Sequence, residues 1–198
     1  MLNFKLFISF INKIGMLYTR KGDKGDTGTF GCNQRMSKSS TVAEALGTLD
    51  ECNSFLGVCK MNVKTKDMVI GNRGYETILD WVQQNLFIVQ AEVAGAPKTI
   101  EEKKVKEVEE IIALIEKELP PIKTFFVSGG TPLAAQLDFA RTLARRAERR
   151  VVGVADEGSV TVGEDTKAFL NRLSSLLYAM ARLSNHKSGI TEKPPTYK

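Results

Sequence analysis

Histidine is nearly absent from this sequence: His186 is the only one in 198 residues. A di-metal carboxylate bundle needs a Glu-x-x-His on each of two helices, so that class is excluded. A lone histidine near a helix end reads as a cap or packing residue rather than a metal ligand. Cysteine is scarce as well. Cys32, Cys52 and Cys59 make an odd count with no CxxC spacing. That excludes a disulfide framework and a zinc cluster and points to a reducing compartment. Long apolar runs are also missing, since nothing approaches the roughly 18 residues of a membrane span. The first 15 residues, MLNFKLFISFINKIG, are broken by Asn3, Lys5, Asn12 and Lys13 and carry no small-residue cleavage site. They do not read as a secretory signal. They contain no arginine, and two readings stay open for them: an organelle-targeting segment, or an extension ahead of Met16.

What remains is the mixture of a soluble globular chain, 42% hydrophobic and 26% charged, with a formal net charge of +5. A basic balance suits a polyphosphate and a nucleic acid equally, so charge alone does not choose. Residues 16–198 read as one domain with no internal repeat, and 1–15 as an extension of no assigned role. From Met16 to Ser40 the chain is rich in Gly, Asp, Thr, Ser and Lys and reads as a loop or extended arm. Five helical segments follow. The first starts after Ser39-Ser40-Thr41 and shows Val42, Ala45, Leu49, Cys52 and Leu56 on one stripe. The second runs from Gly74 to Val93 and the third from Ile100 to Leu119. The fourth is capped by Thr131 with Pro132 in its first turn, and the fifth spans Glu164 to His186. The terminal TEKPPTYK is expected to be irregular or frayed.

Four stretches carry candidate chemistry. In YTRKGDKGDTGTFG, glycines recur every third residue from Gly22 to Gly31, between lysines, aspartates and threonines. Glycine frees the backbone so that successive N–H groups can turn toward one anion. A plain surface turn would look the same, and no Walker ending is present. On the fourth helix, Asp138, Arg141, Arg145 and Glu148 fall on one narrow face at about 100° per residue, while Arg146 and Arg150 point elsewhere. Asp138–Arg141 and Arg145–Glu148 ion pairs on a solvated face are one reading. Arginine's fitness for bidentate phosphate contacts supports the other. On the fifth helix Asn171, Ser175, Tyr178, Arg182 and Asn185 form a polar stripe that an ordinary amphipathic helix would also show. Asp50 stands at the margin of the first helix's apolar stripe, where a carboxylate often seeks an arginine across an interface.

Together, and in this order, these pieces resemble the ATP:corrinoid adenosyltransferases of the trimeric type. The resemblance is carried by YTRKGDKGDTGTFG, EALGTLDECNSFLG, FFVSGGTPLAAQLDFARTLARRAERRVV and FLNRLSSLLYAMARLSNHKSG. It runs from about Met16 to Gly189. Leu46 and Ser128 depart from it, standing where an aromatic and a proline are common. The resemblance implies an all-α, up-down, ferritin-like five-helix bundle with an irregular N-terminal nucleotide-binding arm, assembled as a homotrimer with sites between subunits. It implies transfer of the 5′-deoxyadenosyl group of ATP to the cobalt of cob(I)alamin, giving adenosylcobalamin and triphosphate.

By match of motif, Thr19, Arg20, Gly22, Asp23, Lys24, Gly25, Thr27 and Gly28 would wrap the triphosphate, with Lys38 a further contact. Arg145, Glu148 and Asn171 would hold the nucleotide from the neighbouring subunit, and Mg²⁺ would bridge the phosphates, its protein ligands unassigned. Asp50 and Arg141 match an intersubunit ion pair. Phe125 matches the aromatic that closes the corrinoid pocket and displaces the lower axial ligand, easing reduction to Co(I). Arg145, Asp50, Arg141 and Phe125 are thus the residues expected to serve catalysis. A reductase and an adenosylcobalamin-dependent acceptor enzyme are the protein partners implied, in the cytoplasm, with organelle targeting by residues 1–15 left open.

Three other readings compete with this one. A nucleic-acid binder would rest on a pI of 9.1, but Asp138, Glu148 and an acidic third helix balance the arginines. The di-metal bundle lacks its histidines. A non-catalytic corrinoid carrier or ATP sensor on the same fold is disfavoured by the intact arm. Neither nucleic acid nor a membrane is an expected partner.

Overall fold

The computed structural model describes residues 18–29, 35–63 and 68–197. The 1–15 extension, Met16, Gly31 and Cys32 lie outside them. Five helices dominate: α1 Thr41–Met61, α2 Tyr75–Val93, α3 Glu102–Glu118, α4 Pro132–Asp156 and α5 Glu164–Lys187. The expected caps form. Ser40 accepts the Ala43 N–H at 3.3 Å, and Thr131 accepts that of Ala134 at 3.1 Å with Pro132 opening α4. Each satisfies a donor that the first helical turn would otherwise leave unpaired.

The core forms where the 3.6-residue period predicts it. Leu49, Leu56, Ile78, Leu86, Leu137, Ala144, Phe169, Leu173 and Leu177 are all fully buried. Each large side chain among them contributes about 1.5–3 kcal/mol relative to exposure. Helix α4 packs between α1 and α5, α2 lies against α1, and α3 covers α5. Among the described residues no helix is long and apolar enough to cross a membrane.

Four local expectations need correction. The arm is not only loop: β1, Asp26–Gly28, pairs antiparallel with β2, Arg35–Ser37, with Thr27 opposite Met36. Met36 packs on the core, which roots the arm. A second small pair, β3 Val69–Ile70 with β4 Arg73–Gly74, turns the chain into α2. Helix α3 starts two residues later than its apolar period suggests, because Ile100 is buried ahead of it with its N–H on Thr166 Oγ1 at 3.3 Å. The tail after α5 has no regular structure, yet it is docked. Glu192 accepts from Arg182 Nε at 2.9 Å, and the Lys193 carbonyl accepts the Val127 N–H at 2.9 Å. His186 is exposed in the last turn of α5 and is not a packing residue.

Candidate functional site

The arm is a folded loop built on backbone carbonyls. Gly25 sits at φ 81°, a conformation that favours glycine, and its carbonyl accepts the Lys38 N–H at 2.9 Å. Lys38 Nζ donates to the Gly22 carbonyl at 3.0 Å and lies so near that a Cβ on Gly22 would meet it at 2.9 Å. Arg20 holds a positive φ of 58°, the one non-glycine residue to do so among those described. Such a backbone costs energy and recurs at ligand-holding loops. Arg35 clamps the loop through both carboxylate oxygens of Asp26, at 2.8 and 2.9 Å, and through the Lys21 carbonyl at 2.7 Å. This pairing holds the Asp26 carboxyl below its ordinary range. Thr19, Arg20, Asp23, Lys24 and Gly28 are left exposed, with Gly22 and Thr27 half-buried. The sequence signalled the glycines but not Arg35, whose partner lies nine residues away on the other strand.

A cleft of about 600 Å³ opens between the α3–α4 connector, α4 and α5. Ile122, Phe125, Phe126 and Val127 make one wall, and Asp138, Arg141, Arg145, Ser174, Tyr178, Arg182 and Asn185 the other. Phe125 is 78% exposed at its rim. The C-terminal half of α5's polar stripe is therefore not a solvated face. Tyr178, Arg182 and Asn185 line this cleft with Ser175, and Arg182 and Asn185 are buried, whereas Asn171 and Ser175 are exposed. Asp138 is nearly buried, which pushes its carboxyl pKa up, with the Arg141 guanidinium partly offsetting the shift. Arg141 Nε stands 3.5 Å from Asp138 Oδ1 and its Cζ lies 5.9 Å from the Tyr178 ring centre.

The glycine pair before α4 is fixed by Asn185. Its Oδ1 accepts the Thr131 N–H at 3.0 Å and its Nδ2 donates to the Gly129 carbonyl at 2.9 Å. Gly130 adopts φ 98°, and a Cβ there would sit 2.2 Å from Asn185 Oδ1. Gly130→Ala should therefore lower stability by about 2–4 kcal/mol, from backbone strain and the clash together. A denaturant titration checks it, and a wild-type midpoint would contradict it.

Beside the cleft lies a smaller recess of about 250 Å³, lined by Arg145, Glu148, Arg149, Val152 and Asn171. Asn171 Nδ2 donates to Glu148 Oε1 at 2.9 Å, so Glu148 takes this partner and not the Arg145 expected one helical turn away. Arg145 lines both hollows. The face read from α4 thus becomes a continuous track, Asp138 and Arg141 in the cleft, Arg145 at the seam, Glu148 in the recess. Arg146 and Arg150 point away, as expected, and pair with Glu51 and Glu44 of α1.

Two expected groupings do not form within one chain. Among the described residues, none from the arm lines the cleft or the recess. The arm's base is anchored where Thr41 Oγ1 donates to Glu157 Oε1 at 2.7 Å. That point is about 18 Å along α4 from Arg145 at 1.5 Å per residue. Asp50 is exposed and lines a shallow apolar hollow with Leu46 and Phe87, and among the described residues no ion pair joins it to Arg141. Residues that sequence reasoning missed are Arg35, Phe126 and Glu192. Of these only Phe126, beside Phe125, carried any local signal.

A model of the cobalamin adenosyltransferase family matches residues 17–184. The chain is 38% identical to the corrinoid adenosyltransferase PduO of Citrobacter freundii over 86% of its own length, but spans only about half (50%) of that relative. It is 38% identical to the corrinoid adenosyltransferase of Bacillus subtilis, covering 88% of this chain and 89% of that one. It is 32% identical to human corrinoid adenosyltransferase MMAB, covering 91% and 73% respectively. A variant PduO-type ATP:corrinoid adenosyltransferase from Lactobacillus reuteri, complexed with cobalamin and ATP, superposes with a TM-score of 0.83 at 31% identity, covering 92% of this chain and 97% of that one. On the fold, the motifs and these likenesses, the chain belongs to the cobalamin adenosyltransferase family.

Proposed function

We propose that the protein transfers the 5′-deoxyadenosyl group of ATP to the cobalt of cob(I)alamin, at sites completed by two subunits of a homotrimer. The observation that carries this reading is the position of Arg145, which lines both an aromatic-walled cleft and a polar recess. A corrinoid, its broad macrocycle against the aromatic wall of the first, and a nucleotide in the second would meet at its guanidinium.

The chemistry asks little of the side chains as reactants. The nucleophile is Co(I), which supplies the electron pair of the new Co–C5′ bond. The C5′–O bond breaks, triphosphate leaves with the electron pair of that broken bond, and cobalt ends formally as Co(III). The protein's task is to align cobalt with C5′ and to stabilise charge growing on the leaving oxygen. Arg145 serves that charge at the seam, with Glu148 and Asn171 holding the nucleoside side. The arm residues Thr19, Arg20, Gly22, Asp23, Lys24, Gly25, Thr27 and Gly28 wrap the phosphates with backbone donors, side-chain donors and charge, Lys38 bracing the loop. Magnesium keeps several waters and prefers one or two carboxylates plus phosphate oxygens to an all-protein cage. The exposed Asp23 suits that role, and among the described residues no group of three metal-binding side chains gathers.

Separation of the arm from Arg145 along α4 supports a site between subunits, as does the lack of an Asp50–Arg141 pair within one chain. Phe87 and Phe139 are 58% and 53% exposed, two large apolar side chains that a subunit interface would cover. Residues 16–198 act as one domain on this reading, and the buried free thiols of Cys52 and Cys59 suit the cytoplasm. A reductase delivering Co(I) and an acceptor enzyme for adenosylcobalamin are the partners the reaction requires.

Product analysis tests the reaction: corrinoid adenosylated and triphosphate released in equal amounts, with diphosphate or adenosine monophosphate as the contradicting products. Mixing tests the shared site. Asp23→Ala and Arg145→Ala proteins, each inactive alone, should recover about a quarter of wild-type activity after random reassembly in equal amounts. No recovery would place the whole site in one chain.

A further inference from the structure

We propose that Arg182 is a positioning residue for the corrinoid, holding the wall that carries Phe125, with Glu192 of the C-terminal tail as its counter-charge. The inference rests on reading the cleft as the corrinoid half of the site. Arg182 is 4% exposed on α5. Its Nε donates to Glu192 Oε2 at 2.9 Å, its Nη2 reaches the Pro120 carbonyl at 3.4 Å, and its Cζ lies 5.1 Å from the Phe126 ring centre.

One guanidinium therefore ties together the start of the connector, its second phenylalanine and the tail. The tail returns the contact, since the Lys193 carbonyl accepts the Val127 N–H at 2.9 Å. Phe125 stands between these fixed points with its own ring almost fully exposed. Nothing in Phe125's packing holds it, so its placement depends on the backbone on either side. A wall ordered in advance spares the ligand the entropy of ordering it. Arg182 carries a charge in a buried place, so losing Glu192 leaves that charge uncompensated and loosens the contacts it makes. The recess of Arg145, Glu148 and Asn171 includes neither residue.

The test is steady-state kinetics of the full-length protein with each substrate varied in turn. Glu192→Gln should raise the KM for cob(I)alamin about tenfold, the scale of one charge-assisted hydrogen bond, while the KM for MgATP stays within about twofold. Glu192→Asp, which keeps the charge, should recover part of the loss. Arg182→Lys keeps the buried charge but not the stacked plane, and should give the same split. An unchanged corrinoid KM in an active Glu192→Gln protein, or equal rises for both substrates, would overturn the inference alone. A wild-type protein that neither binds nor converts a corrinoid would overturn the functional reading and this inference with it.

Discussion

Arg145→Ala is expected to lower turnover by about 10²–10³-fold, the loss seen when one preorganised donor to a developing negative charge is removed. Among the described residues Arg141, Arg146 and Arg150 each face a carboxylate, whereas Arg145 makes no such pair. Its guanidinium is exposed at the junction of cleft and recess. An unpaired cation there has little to contribute to folding, and exposed substitutions away from structural features usually stay within about 0.5 kcal/mol. The loss should therefore appear in kcat with an unshifted melting temperature. Single-turnover rates at saturating MgATP separate this from weaker binding. Turnover within threefold of wild type would remove Arg145 from the chemistry.

Phe125→Ala should keep ATP binding and lose about 10- to 100-fold in activity when the reaction starts from the Co(II) corrinoid. That range is what burying one phenylalanine against a ligand is worth, about 1.5–3 kcal/mol converted to a rate. The ring is 78% exposed in the free protein, so its removal opens no core cavity. A wedge that displaces the lower axial ligand would matter most before Co(I) exists. The same variant supplied with chemically reduced Co(I) should lose less. Unchanged turnover of the Co(II) substrate would sink the assignment of Phe125 as the wedge.

The helices were legible because burial obeys a period. Val42 through Leu56 on α1 and Phe169 through Leu183 on α5 announced their faces, and Thr131-Pro132 announced the start of α4. The α4 track was legible for the same reason, since spacings of three and four residues fix which side chains share a face. What stayed hidden depends on distant partners. Arg182 looked like part of a solvated stripe because nothing near it in sequence reveals that the tail returns to cover it. Glu148 was paired with Arg145 on spacing, but Asn171 of the neighbouring helix competes for it. Arg35 gave no sign of clamping Asp26, because a short antiparallel ladder joins residues no local period connects. The arm and the α4 track were each readable, but on the proposed reading their union belongs to the assembly, and a sequence holds no explicit record of which copy would supply which half.

The most direct measurement is anaerobic. Purified protein, MgATP and chemically reduced cob(I)alamin are mixed, and absorbance follows the corrinoid. The account predicts conversion to adenosylcobalamin by the wild type, abolished in Asp23→Ala and Arg145→Ala proteins that remain folded. A wild-type protein that binds ATP and corrinoid yet leaves cob(I)alamin unconverted would contradict it and leave a carrier or sensor on this bundle.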